Sequence, residues 1–90
     1  MPYSDTQGAS MTDYETEFAD LPDMVSGKAA ARILDVAGIQ GVHYVLGRIA
    51  EDENAPKVET FKITFGKRIY NQYRKSELIA VRRYRDKKLG

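Results

Sequence analysis

The sequence predicts a small α+β domain, and three observations carry that prediction. Apolar residues recur at helical spacing in two stretches on either side of a glycine-bearing turn at 37–41. Two runs rich in β-branched and aromatic residues, at 58–65 and 68–73, flank Gly66-Lys67. A last helical stretch beginning near Ser76 is strongly basic.

At 90 residues, with 42% hydrophobic and 30% charged, the chain has material for one modest core and no second folded domain. With no cysteine and one histidine it offers neither a disulfide framework nor a thiolate or imidazole metal cluster, so no metal or cofactor is expected. No apolar run approaches the roughly 20 residues that span a bilayer. Residues 1–10 have neither the basic start nor the apolar middle of a signal peptide, so the expected location is cytoplasmic, without a membrane partner.

The charges are segregated along the chain. Residues 1–25 carry six acids (Asp5, Asp13, Glu15, Glu17, Asp20, Asp23) and no Lys or Arg, a net −6. Residues 26–66 sum to zero, and residues 67–90 carry nine bases against Glu77 and Asp86, a net +7. A basic end of this kind suits a polyanion, with the acidic end folding back, screening it or meeting another partner; solvated surface explains the same pattern equally well.

Residues 1–24 read as a flexible acidic leader. The first ten have two scattered apolar residues and no period. Thr12 and Glu15 have capping-box spacing, and Met11, Tyr14, Phe18 and Leu21 form one apolar stripe on a short helix within 13–20, which Pro22 discourages from continuing. That stripe either docks on the domain or binds a partner protein, and docking is favoured because so short a helix is marginal alone. From residue 25 the main domain begins. Ser26 caps a helix over 27–35 with Ala30, Ile33, Leu34 and Val36 inward. A second helix, expected at about 40–50, turns Val42, Val45, Leu46 and Ile49 inward and leaves Gln40, His43, Tyr44, Gly47 and Arg48 outward.

The hairpin follows at 58–73. Glycine first in a two-residue connection fits a type II′ turn, which pairs Phe65 with Arg68, Ile63 with Tyr70 and Phe61 with Gln72. Lys62, Thr64, Ile69 and Asn71 share the other face. Ser76 then caps the final helix, with Leu78, Val81 and Tyr84 inward and Arg82, Arg83, Arg85, Lys87 and Lys88 outward.

Helix, tight turn, helix, basic hairpin and basic helix is the order of a winged helix-turn-helix with an acidic N-terminal extension. In that arrangement the second helix enters the major groove of double-stranded DNA, bringing Gln40, His43, Tyr44 and Arg48 to bases or phosphates. Lys62, Lys67 and Arg68 on the hairpin reach flanking backbone or minor groove, Lys28 and Arg32 hold phosphate from the first helix, and Arg74, Lys75, Arg82 and Arg83 add nonspecific attraction. Glu51, Asp52 and Glu53 lie beside the reading helix and must point away for this to hold.

The stretch 25–85 resembles the small MerR-like winged helix-turn-helix proteins that include phage and transposon excisionases. The matching residues are Ala-Ala-Arg-Ile-Leu at 30–34, Phe65-Gly66-Lys67-Arg68 at the hairpin turn, and Tyr-Arg-Lys-Ser-Glu-Leu at 73–78. The resemblance implies a DNA-binding and DNA-bending excisionase that directs an integrase; self-association of copies along DNA, through wing-to-helix contacts between neighbours, is left open by the sequence. A small transcriptional regulator or a terminase small subunit of the same fold is the alternative. The sequence departs from the family pattern at 37–41, which lacks the usual Ser or Thr cap, and in its long acidic extension.

No Ser/His/carboxylate arrangement or phosphate-cradling glycine loop is recognisable, so an enzyme is not expected. The rival of another class is a protein-interaction module that uses the acidic helix stripe of Tyr14, Phe18 and Leu21.

Overall fold

The computed structural model describes residues 13–89. The order is α1 (Tyr14–Glu17), β1 (Met24–Ser26), α2 (Gly27–Leu34), α3 (Gly38–Ala50), β2 (Thr60–Phe65), β3 (Arg68–Arg74) and α4 (Lys75–Leu89). The three strands form an antiparallel sheet in the order β1-β3-β2, so the described residues make a small α+β domain.

The helices form where the periodicity places them, with corrections at their ends. Ser26 caps α2, its side chain accepting from the Ala29 N–H at 3.4 Å. The chain leaves α2 through Asp35 in the left-handed region, φ 57, with Val36 N–H donating to Ala31 O and Asp35 N–H to Arg32 O. These two bonds are the paired closure of a Schellman end. Asp35 therefore makes the first bend that the sequence assigns to glycine, and Gly38 (φ 77) makes the second. As a result α3 starts at Gly38 instead of Gln40, behind Ala37, which makes no side-chain cap. Gly41 is required by packing: a Cβ there would sit 2.8 Å from that of Val36.

The predicted hairpin register is the observed one, Phe65↔Arg68, Ile63↔Tyr70 and Phe61↔Gln72. Gly66 has φ 65 while Lys67 does not, as a type II′ turn requires. Strand β1 has no counterpart in the sequence reading. Its pairing, Met24↔Arg74, Val25↔Tyr73 and Ser26↔Gln72, holds β3 in strand as far as Arg74. The chain then passes straight into α4 at Lys75, leaving Ser76 inside the first turn instead of capping it.

The leader is also corrected. The cap of α1 is Asp13, which accepts from the Thr16 N–H and hydroxyl; Thr12, Met11 and the leader 1–10 lie outside the described residues. Tyr14 and Phe18 join Val25, Ile33, Leu34, Val42, Tyr73, Leu78 and Val81 in one core, with Leu21 packed against it. Tyr14, Phe18 and Val25 thus pack in the same core as the helices and sheet that follow. Because Tyr14 is 4% and Phe18 1% exposed, the stripe proposed for a partner protein is spent on this core.

Candidate nucleic-acid interface

Ion pairing sorts the basic residues into two sets. One set holds the fold together. Arg82 donates to Ile33 O at 2.9 Å and Arg85 to Leu34 O at 2.7 Å, closing the C-terminal carbonyls of α2 with cations from α4. Arg82 also pairs with Asp86 and lies over the Tyr14 ring, whose hydroxyl donates to Asp86. Arg83 pairs with Glu15, Arg32 with Asp20 at 3.1 Å, and Lys75 donates to the carbonyls of Phe18 and Leu21. Arg74 bridges Glu59 and Glu77 at 2.9 and 3.0 Å, which raises its pKa further, and stacks over Phe61. Five of the cations assigned to DNA from sequence, Arg32, Arg74, Lys75, Arg82 and Arg83, are therefore engaged inside the domain.

The signal for this lay in the helical spacing of α4. Arg82 and Arg85 fall four and seven residues after Leu78, on the stripe that buries Leu78 and Val81. That period turns both guanidinium groups inward, toward the carbonyls of α2.

Lys28, Arg48, Lys62, Lys67, Arg68 and, near the end of α4, Lys87 make up the other set. Among the described residues none of them has an ion pair or a side-chain hydrogen bond. Three lie on the hairpin, where every residue from Lys62 to Tyr70 is exposed and none is acidic. Lys28, on the first turn of α2, shares a groove with Ile39 and His43 of α3 and with Ile63, Ile69 and Tyr70 of the hairpin. The exposed face of α3 runs through Ile39, Gln40, His43, Tyr44, Gly47 and Arg48. Gly47 is central to that face and has open space before it. Tyr44 is 68% exposed and not tucked beneath the hairpin.

The acidic run is turned only in part. Asp52 faces α4, accepting from the Tyr84 hydroxyl at 2.6 Å, from Asn54 N–H at 3.0 Å and from Lys88 at 3.2 Å. The tyrosine bond first, then the others, pull its pKa down to about 2 and raise those of Tyr84 and Lys88. Glu51 and Glu53 are exposed and line one groove with Tyr44 and Arg48. The C-terminal half of α3 is consequently less hospitable to phosphate than its N-terminal half.

No group of three or more His, Cys, Asp or Glu among the described residues is placed to hold a metal ion, and no described helix is long and apolar enough to cross a membrane. No protein-family model matches the chain, and neither a curated protein nor a solved structure matches it.

Proposed function

We propose that this domain binds double-stranded DNA as a winged helix-turn-helix, with α3 in the major groove and the β2–β3 hairpin as its wing. The observation that carries the reading is the sorting of cations. Two acids of the N-terminal segment, Asp20 and Glu15, are paired with Arg32 of α2 and Arg83 of α4, while Lys28, Lys62, Lys67 and Arg68 remain available around the α2–α3–hairpin groove. Unpaired cations beside a protruding helix face supply the phosphate contacts that position a duplex, and Gln40 and His43 supply base-edge donors and acceptors. The start of α3 has no side-chain cap on its first-turn amides, and lies on the same side. Contacts concentrate on the N-terminal half of α3 and the hairpin, away from Glu51 and Glu53.

Within this reading the biological role closest to the sequence resemblance is an excisionase-type accessory that directs an integrase, with transcriptional regulation or DNA packaging as the alternatives. The test is the affinity for a labelled random duplex of about 30 base pairs across a salt series. Log affinity should fall with log salt with a slope of roughly −3.6 to −5.4, as expected for roughly four to six phosphates neutralised, and the slope should shrink in Lys67→Ala/Arg68→Ala. Absence of binding at low salt would overturn the reading.

A further inference from the structure

The sheet ends in an open edge. In the order β1-β3-β2, strand β2 pairs with β3 on one side and, among the described residues, with no strand on the other. The two-residue turn makes Phe65↔Arg68 a hydrogen-bonded pair, so the ladder to β3 uses the N–H and C=O groups of Phe65, Ile63 and Phe61. Those of Thr60, Lys62 and Thr64 point outward, and no backbone bond outside the ladder reaches them. The strand has neither the proline nor the bulge that commonly blunts an edge.

The side chains along this edge are symmetric about Ile63. Phe61, Ile63 and Phe65 lie on one face with Tyr70 of β3, while Lys62 and Thr64 lie on the other, where Ile69 stands alone as an exposed apolar residue. Phe65 is 76%, Tyr70 46% and Ile63 43% exposed. Reading outward from Ile63 in either direction gives a polar residue and then a phenylalanine. A strand of this order is complementary to itself when antiparallel. If Ile63 opposes Ile63 of a second copy, Phe61 opposes Phe65 twice and Lys62 opposes Thr64 twice. The outward backbone groups of Lys62 and Thr64 then bond reciprocally. The phenylalanine and isoleucine pairs fall at non-hydrogen-bonded positions, where cross-strand side chains approach most closely. A shift of two residues one way opposes Lys62 to Lys62; the other way sets Phe61 against Lys67 in the turn. A shift of one residue puts the phenylalanines on the wrong face. In the register centred on Ile63, the Lys67 tip of each copy also runs toward Glu59 of the other.

We propose that two copies of this chain pair β2 edge to β2 edge about a two-fold axis at Ile63, joining their sheets into one six-stranded antiparallel sheet. The contact is isologous and closes on itself, so it makes a dimer in solution and not an array along a duplex. It is independent of the DNA-binding reading. A second copy is the occupant because a foreign strand would require no symmetry about Ile63, and because this register opposes no like charges. The paired segment is only about 20 Å long, which places the interface below about 1,200 Å² and makes the dimer weak and reversible.

The chain has no cysteine, so an introduced thiol reports on its own position. In the full chain without DNA, Ile63→Cys meets its own copy at the axis, whereas Phe65→Cys meets Phe61. Under mild oxidation Ile63→Cys should form a covalent dimer at least about tenfold faster than Phe65→Cys. A mixture of Phe61→Cys and Phe65→Cys should form the heterodimer in preference to either homodimer. Sedimentation equilibrium from ~10 μM to ~1 mM should show wild type passing from monomer to dimer. Thr64→Glu sets a carboxylate opposite Lys62 of the second copy and should tighten the dimer at least about twofold, an effect peculiar to this register. Thr64→Pro removes an outward N–H that the hairpin does not use and should weaken the dimer at least about tenfold. The side chains of Ile63, Thr64 and Phe65 are exposed, so melting curves close to wild type are expected and check that the variants are folded. Wild type that stays monomeric throughout overturns the proposal. A dimer in which Ile63→Cys crosslinks no faster than Phe65→Cys, or which Thr64→Glu weakens, belongs to another surface and overturns it as well. Either result leaves the DNA-binding reading standing.

Discussion

The guanidinium of Arg82 donates to the carbonyl oxygen of Ile33 at 2.9 Å, so a charge carried on α4 ends α2. The Arg82 side chain is only 19% exposed and lies between Tyr14 and Asp86. Charge-assisted bonds of this kind each contribute about 1.5–3 kcal/mol. Arg82→Ala is expected to lower unfolding free energy by that order in urea titrations, with an unchanged salt slope for DNA. Lys67→Ala/Arg68→Ala should do the opposite, leaving stability within about 0.5 kcal/mol and reducing the slope by about 2.

The N-terminal segment contributes to the fold and not only to its charge. Phe18, 1% exposed, stacks with Tyr14 at 6.1 Å between centroids and carries Arg32 over its ring. Phe18→Ala should cost about 3–5 kcal/mol by chemical denaturation. A chain beginning at Pro22 should lose cooperative unfolding instead of simply binding DNA more tightly, which circular dichroism melts would show.

Two glycines of α3 should respond to the same substitution with opposite sign. Gly41→Ala sets a Cβ 2.8 Å from that of Val36 and should destabilise by about 1–3 kcal/mol. Gly47→Ala meets open space and should stabilise by about 0.5–1 kcal/mol. If α3 approaches the floor of a major groove, Gly47→Leu should weaken DNA binding without lowering the melting temperature.

Asp52 gives a pH signature. Its folded pKa, about 2, lies below the ordinary carboxylate value of 3.8, so its contribution is complete above that value and is lost as pH falls toward about 2. Urea midpoints of wild type should therefore decline between about pH 4 and 2 more steeply than those of Asp52→Asn. Tyr84→Phe, which removes the leading hydrogen bond, should flatten the same window in part.

Much of the architecture was legible because α2, α3 and the hairpin announce themselves locally, through apolar periods and a glycine turn. The hairpin register followed from the turn alone, since a two-residue connection fixes which residues face each other. Strand β1 was not legible: three residues give no alternation, and its partner Tyr73 lies 48 positions away. The placement of the cations was legible where charges stand alone and exposed, at Lys62, Lys67 and Arg68. It was misread where an arginine sits on an apolar stripe, as Arg82 does, because its task is set by carbonyls that a distant helix leaves unpaired. The stripe of Tyr14 and Phe18 was read in its right spacing, and the choice between docking and display was made by the core it meets.

The pairing of β1 with β3 and the contact of Tyr14 with Asp86 join opposite ends of the chain, across 48 and 72 positions. During synthesis this has a consequence: residues 14–26 leave the ribosome early yet have nothing to pack on until β3 and α4 follow. Completion of the core thus waits for β3 and α4, and its rate is set by closing these long loops more than by forming any single helix. Until then the nascent chain exposes Phe18 and Val25 beside a run of aspartates and glutamates, whose mutual repulsion keeps neighbouring nascent chains apart.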